Sequence, residues 1–150
     1  MIYYFAYGSN MNPNRMADRV GNFEIVGLGI LHDFELRFNK IAQNKNGIGY
    51  ANVVWAPGKN VEGIIYQFEN IALLDKYEGY PKHYNRKILD IMHNQSRLKT
   101  WVYIAQENQI SNGLLPERRY LRHLLVGKEY LSESYFEELK IVPVKEDRSI

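Results

Sequence analysis

The chain contains no cysteine. That excludes disulfides, thiolate zinc sites and a cysteine nucleophile, and it is compatible with a reducing compartment. Long apolar runs are absent too, and the first residues lack the basic region, apolar segment and small-residue cleavage site of a secretory signal. The expectation is a cytoplasmic protein without membrane contact. An excess of one charge is also missing. Nineteen Lys and Arg against seventeen Asp and Glu leave a net charge of +2, too little to argue for nucleic acid or a membrane surface.

Several familiar motifs are incomplete. Gly27-Leu28-Gly29 lacks the third glycine of a dinucleotide fingerprint, and Gly58-Lys59 is followed by Asn60, so it is no phosphate-binding P-loop. Ser9 sits in Tyr-Gly-Ser-Asn rather than in a nucleophile elbow. His32, His83, His93 and His123 show no short-range ligand spacing. They read as surface or structural residues, and no metal or other cofactor is expected. With 150 residues, 45% of them hydrophobic, the chain can bury a real core, and one domain over 1–150 is the natural reading.

What is present starts with the run Tyr4-Phe5-Ala6-Tyr7-Gly8-Ser9-Asn10. Ile2 to Ala6 is apolar and aromatic and reads as a buried strand. Gly8-Ser9-Asn10 stops it, and Asn12-Pro13 opens a helix through about Val20, with Asn12 as cap and proline at the first helical position. Such a junction leaves backbone N–H groups free, and glycine lets a ligand approach the backbone closely. The same residues also suit an ordinary strand–turn–helix connection.

Phe34, Leu36 and Phe38 alternate with Glu35 and Arg37, which predicts a half-exposed strand. Gly49 to Trp55 and Val61 to Phe68 read as two strands of a hairpin closed by Ala56-Pro57-Gly58. Asn70 caps a short helix through Tyr77, ended by Gly79 and Pro81. Tyr84 to Met92 and Leu98 to Ala105 make two further strands around His93 to Arg97. A helix from Pro116 buries Tyr120, Leu121, Leu124 and Leu125. Ser134 and Glu137 have capping-box spacing for a last helix to Lys140, and the polar tail from Val144 to Ile150 is expected to be mobile. The basic run Arg118, Arg119, Arg122, His123 reads as a solvated helix face. About six strands with helices around them predict an α+β fold, a small mixed sheet or barrel.

Glu78 is the acid of interest. It ends a short apolar helix between Tyr77 and Tyr80. Aromatic neighbours desolvate a carboxylate and raise its pKa toward the range of a useful general base. A solvated helix-end glutamate is the plainer alternative. Glu62, at a strand start beside Lys59 and Asn60, is expected to be exposed. Asn52 faces either a pocket or solvent.

Taken together, Tyr4 to Met11 resembles the opening motif of the gamma-glutamyl cyclotransferase family, and Leu74 to Ile91, with Glu78-Gly79 and then Tyr84, resembles its catalytic-glutamate region. His32 to Phe38, Gly49 to Val53 and Val61 to Tyr66 look like its intervening strands, and Tyr120 to Gly127 like its C-terminal helical part. The resemblance implies a small mixed barrel and cyclisation of a γ-glutamyl group to 5-oxoproline without a cofactor. It implies Glu78 as catalytic acid and base. It further implies Tyr4, Phe5, Ala6, Tyr7, Gly8, Ser9 and Asn10 around the glutamyl moiety, with Tyr84 and Tyr120 in the same cavity. The partner is then a small γ-glutamyl molecule, with the protein a monomer or homodimer. Tyr-Gly-Ser-Asn resembles the branch acting on γ-glutamyl amino acids more than the Tyr-Gly-Thr branch acting on γ-glutamylamines, and the tryptophan-rich opening of the glutathione-specific branch is missing. A protein that only binds a small carboxylate metabolite on the same fold is the alternative.

Overall fold

The computed structural model describes residues 1–147. Five strands close into a barrel in the order β1-β3-β2-β4-β5. They are β1 (Ile2–Ala6), β2 (Glu24–Ile41), β3 (Gly49–Phe68), β4 (Tyr84–His93) and β5 (Ser96–Ala105). All neighbours are antiparallel except β1 and β5, which run parallel and close the barrel at Tyr4 opposite Trp101. Four α-helices accompany them: α1 (Pro13–Val20), α2 (Ala72–Glu78), α3 (Arg118–Leu125) and α4 (Glu133–Lys140).

The two-residue period of β1 divides the core. Phe5 of β1 packs with Leu31, Val53, Val61, Ile65, Ile91 and Val102 from the other four strands, and together they fill the barrel. Tyr4 and Ala6 face the other way and pack with Ile64, Tyr66 and Phe68 beneath apolar residues of the helices, among them Met16, Leu74, Leu121 and Leu139. The site forms in this outer layer, where the end of β1 meets α1, α2 and α3.

The expected hairpin between Gly49 and Phe68 is instead one strand. Both halves of β3 pair with β2, and between Phe34–Trp55 and His32–Asn60 the register shifts. Residues 56–59 stand opposite Asp33 alone, so they form a wide bulge. Pro57, which has no N–H to give, is tolerated there, and Gly58 N–H donates to Asp33 Oδ1 at 2.9 Å. This merging leaves five strands instead of about six.

The last helix is capped by Ser132, not Ser134: the Ser132 hydroxyl accepts from Tyr135 N–H at 3.3 Å. Glu62 is not a free surface acid. Its carboxylate accepts from Ser132 N–H (2.8 Å) and from the Ser132 hydroxyl (2.6 Å), tying α4 to β3. The C-terminal stretch is likewise held rather than loose. Lys145 exchanges backbone hydrogen bonds with Pro116 and Arg118, and Glu146 and Asp147 pair with Arg118 and Arg119. Residues 148–150 of the expected mobile tail lie outside the described residues. Among the described residues no helix is long and apolar enough to cross a membrane.

Candidate active site

The turn after β1 is the floor of the site. Residues Ser9–Met11 form a single 3-10 turn, and Asn12 then caps α1 by accepting from Asn14 N–H at 3.1 Å. The N–H groups of Gly8, Ser9 and Asn10 have no backbone acceptor among the described residues. Gly8 has φ −116° and ψ −137°, and its surroundings leave little room for a side chain. A Cβ at this position would stand a tight 3.1 Å from Ala51 Cβ and 3.3 Å from the Tyr120 hydroxyl, so one of the two would have to shift slightly.

Asn10 is buried and fully engaged. Its amide nitrogen donates to the Tyr4 hydroxyl (3.0 Å) and reaches Glu78 Oε1 (3.4 Å), and its Oδ1 accepts from Arg19 Nη1 (3.1 Å). Its carbonyl accepts from the buried Tyr66 hydroxyl at 2.6 Å. The residue thus locks the turn to the barrel and to Glu78 at once.

Glu78 closes α2, and Gly79 follows in the left-handed conformation that ends helices. The residue is half-buried, but its carboxylate is enclosed, and burial pushes its pKa from 4.5 up to about 7. Arg19 and Arg15 oppose that rise without cancelling it. Asp75, one turn earlier, adds to the rise and anchors the helix. It takes a two-pronged ion pair from Arg86 (2.9 and 3.1 Å) and a hydrogen bond from the Tyr103 hydroxyl (2.8 Å). Arg86 itself lies between the rings of Tyr80 and Trp101. Asp75→Ala is therefore expected to cost about 2–4 kcal/mol of stability, because it strands a half-buried guanidinium. A thermal or urea melt checks this; an unchanged midpoint would mean that Arg86 finds water instead.

Four phenols surround Glu78, and burial raises the pKa of each, so they act as neutral donors. Their hydroxyl protons are not equally free. Tyr7 donates to Tyr103 O (2.6 Å) and Tyr84 to Ala51 O (2.7 Å), so those protons are committed. Tyr120 accepts from Ala51 N–H (3.0 Å), and Tyr4 accepts from Asn10. Among the described residues their own O–H groups have no acceptor, which leaves them to a ligand.

Two adjoining spaces result. An inner recess of about 30 Å³ is bounded by the turn, Tyr4, Tyr7, Ala51, Tyr103 and the walls it shares with its neighbour. That volume admits one or two water-sized groups, such as a carboxylate. The shared walls are Ser9, Glu78, Tyr84 and Tyr120. Beyond them lies an outer cavity of about 290 Å³ lined also by Arg15, Arg19, Tyr50 and Tyr77.

Of the residues expected at the site, Tyr4, Tyr7, Gly8, Ser9, Asn10, Glu78, Tyr84 and Tyr120 border one or both spaces. Phe5 and Ala6 are fully buried and border neither. Phe5 fills the barrel, and Ala6 lies under the helices. Asn52 faces no pocket and no solvent: it is buried, donates to Asn39 Oδ1 and accepts Ala105 N–H, bracing β3 against β5. The sequence reading missed Arg15 and Arg19, which share a face of α1 at i, i+4 spacing, and Tyr50. It also assigned Arg119 and His123 to a solvated face, whereas both border the outer cavity. The Asn12 oxygen is taken by Asn14 N–H, so Asn12 Nδ2 donates to His123 Nδ1 at 3.0 Å. That nitrogen then carries no proton, and burial lowers the imidazole's pKa further. Among the described residues no three His, Asp or Glu side chains are grouped as a metal site would need.

The family description "Gamma-glutamyl cyclotransferase, AIG2-like" matches residues 4–122. The gamma-glutamylcyclotransferases of Bos taurus and Mus musculus are each 34% identical over 82 residues, 51% of this chain. The matched stretch spans only 43% of the length of those relatives. A solved structure named gamma-glutamyl cyclotransferase superposes with a TM-score of 0.86 at 24% identity, covering 96% of this chain and 89% of its own. An uncharacterised protein from Homo sapiens gives 0.88 at 24% identity, covering 99% and 92%. At that identity the two structures establish the fold, and the sequence match over most of the barrel and α3 establishes the kinship: the chain belongs to the gamma-glutamyl cyclotransferase, AIG2-like family.

Proposed function

We propose that the protein cyclises the γ-glutamyl group of a small γ-glutamyl amino acid or amine. The α-amine attacks the γ-amide carbonyl, a C–N bond closes the five-membered ring, and the amide C–N bond breaks. The products are 5-oxoproline and the free amine. Glu78 takes the proton from the α-amine and returns it to the leaving nitrogen. One observation carries this reading: an enclosed carboxylate with a pKa of about 7 stands beside a turn in which the N–H groups of Gly8, Ser9 and Asn10 have no backbone acceptor among the described residues.

Each part has a physical task. A protonated α-amine is no nucleophile, so one base within reach is the minimum equipment. Holding amine and carbonyl together is worth about 7–11 kcal/mol of the barrier. The free N–H groups and the unspent Tyr120 O–H suit the α-carboxylate or the oxygen that becomes negative in the tetrahedral intermediate.

Incubating purified protein with a panel of γ-glutamyl amino acids and amines, and assaying 5-oxoproline by mass spectrometry, tests the reading. Release is expected with and without EDTA. A blank across the panel would favour the binding-only alternative, and loss of activity with EDTA would contradict the metal-free mechanism. The pH profile adds a second check. Glu78 must be ionised to accept a proton, so kcat/KM should fall about tenfold per unit as pH drops below about 7. An acid limb near 4.5 instead would show a base in ordinary solvent.

A further inference from the structure

The Asn10 side chain stands between Arg19 and Glu78. The two ends of its amide match in shape, but the nitrogen only donates and the oxygen only accepts. A guanidinium has donors alone. Because Arg19 Nη1 meets the amide at 3.1 Å, the oxygen must face Arg19. The nitrogen is then turned to the Tyr4 hydroxyl (3.0 Å) and to Glu78 Oε1 (3.4 Å). Arg19 also lies over the ring of Tyr77, the residue before Glu78 on α2, at 5.0 Å. No ion pair among the described residues includes it.

Other charges act on Glu78 as well: Arg15 from α1, Asp75 from its own helix and Lys40 from β2. Lys40 Nζ is spent on Ile41 O at 2.6 Å, and Asp75 on Arg86 and Tyr103. The surrounding phenols of Tyr4, Tyr7, Tyr84, Tyr103 and Tyr120, and the imidazole of His123 across the cavity, are neutral near pH 7. Without the guanidinium the Asn10 amide is free to turn over. Its oxygen then takes the Tyr4 proton, and Glu78 loses a donor. That loss disfavours the ionised carboxylate.

We propose that Arg19 is a positioning residue for the reaction: its hydrogen bond to Asn10 Oδ1 fixes the amide so that an N–H faces Glu78 and the Tyr4 hydroxyl keeps its own proton for the substrate. One cation thereby sets two groups of the site through a third side chain. This rests on the cyclotransferase reading above only in taking Glu78 as the base. The orientation of the Asn10 amide is a property of the protein without substrate.

Arg19→Met tests it, since methionine keeps an unbranched stem beside Tyr77 and removes every donor. In NMR spectra the cross-relaxation between the Asn10 amide protons and the Tyr4 ring, present in the unmodified protein, should be lost. The Glu78 carboxyl carbon should titrate about one pH unit higher, and the acid limb of kcat/KM should move with it. The loss of kcat/KM is then about tenfold greater below pH 7 than at pH 9. The loss that remains at pH 9, about 2–10-fold and chiefly in KM, measures the Tyr4 hydrogen bond. Arg19→Lys keeps a donor and should recover part of both effects; no recovery would count against the proposal. An acid limb that moves while the Asn10 amide keeps its contact with Tyr4 would assign Arg19 a direct charge effect and overturn the inference. An unmoved limb with equal loss at every pH would do so too, as the mark of a merely structural arginine. A blank substrate panel removes the cyclotransferase reading alone, because the NMR readouts on Asn10 and Glu78 need no turnover.

Discussion

Replacing Glu78 by glutamine is expected to lower turnover by about 10²–10⁴-fold, the usual worth of a general base, while the protein still folds. Glutamine keeps the shape and the acceptor oxygen that Asn10 reaches at 3.4 Å, but it cannot take a proton. The stability consequence has a definite direction. In the folded protein Glu78 titrates near 7, against 4.5 unperturbed. Its protonated form therefore contributes stability that is fully present below about 4.5 and is lost as pH rises through about 7. Glutamine removes that loss. At pH 8 the variant should be as stable as the parent or more stable, by on the order of 1–3 kcal/mol, and the difference should vanish as pH falls below 5.

A purely structural Glu78 would be held by backbone N–H groups or paired with a nearby cation, Lys82 or Arg86. Arg86 is taken by Asp75, and Lys82 forms no ion pair among the described residues. Melting and turnover measured on the same Glu78→Gln preparation separate the cases. A variant that melts lower at pH 8 yet turns over normally per folded molecule would remove Glu78 from the chemistry. Glu62 would not replace it, since it borders neither cavity and is held by Ser132.

The local elements were legible in the sequence because short-range chemistry decides them. Asn12-Pro13 starts α1, and Gly79 ends α2 in a left-handed conformation. The turn of the β4–β5 hairpin falls at Asn94 and Gln95, both with positive φ. The ribbon of β2 and β3 was misread because Pro57-Gly58 carries the composition of a loop. Whether such a pair reverses the chain or bulges from it depends on the partner strand, and Asp33 decides that from 25 residues away. The aromatic and glycine part of the site was legible through its resemblance, but Phe5 and Ala6 show the limit of carrying over a whole motif: strand alternation buries them in two different cores. The cationic part was not legible. Arg15, Arg19 and Arg119 lie on polar helix faces, and a face that meets a polar cavity has the same sequence pattern as one that meets water. Only the meeting of α1 with α3 across the turn distinguishes them.

Gly8→Val is expected to lower kcat/KM by at least about 100-fold and to abolish measurable binding of 5-oxoproline, with Ser9→Ala costing less than about tenfold. Ser9 borders both spaces, but the turn is proposed to act through its backbone. At Gly8 even the first added carbon would lie 3.1 Å from Ala51 Cβ and 3.3 Å from the Tyr120 oxygen. Valine adds two more carbons in the same crevice. Overpacking of this kind costs about 1–3 kcal/mol and moves whichever wall yields first. Both walls matter, because Ala51 N–H is what Tyr120 holds and Ala51 O is what Tyr84 holds. The contact part of the penalty can be measured. Gly8→Ala should be milder than Gly8→Val, and Ala51→Gly in the Gly8→Ala background should recover part of the loss, a coupling that independent sites do not show. Titration calorimetry with 5-oxoproline across the series decides the matter. Normal binding by Gly8→Val together with complete loss in Ser9→Ala would assign the contact to the serine side chain and dismiss the backbone cradle.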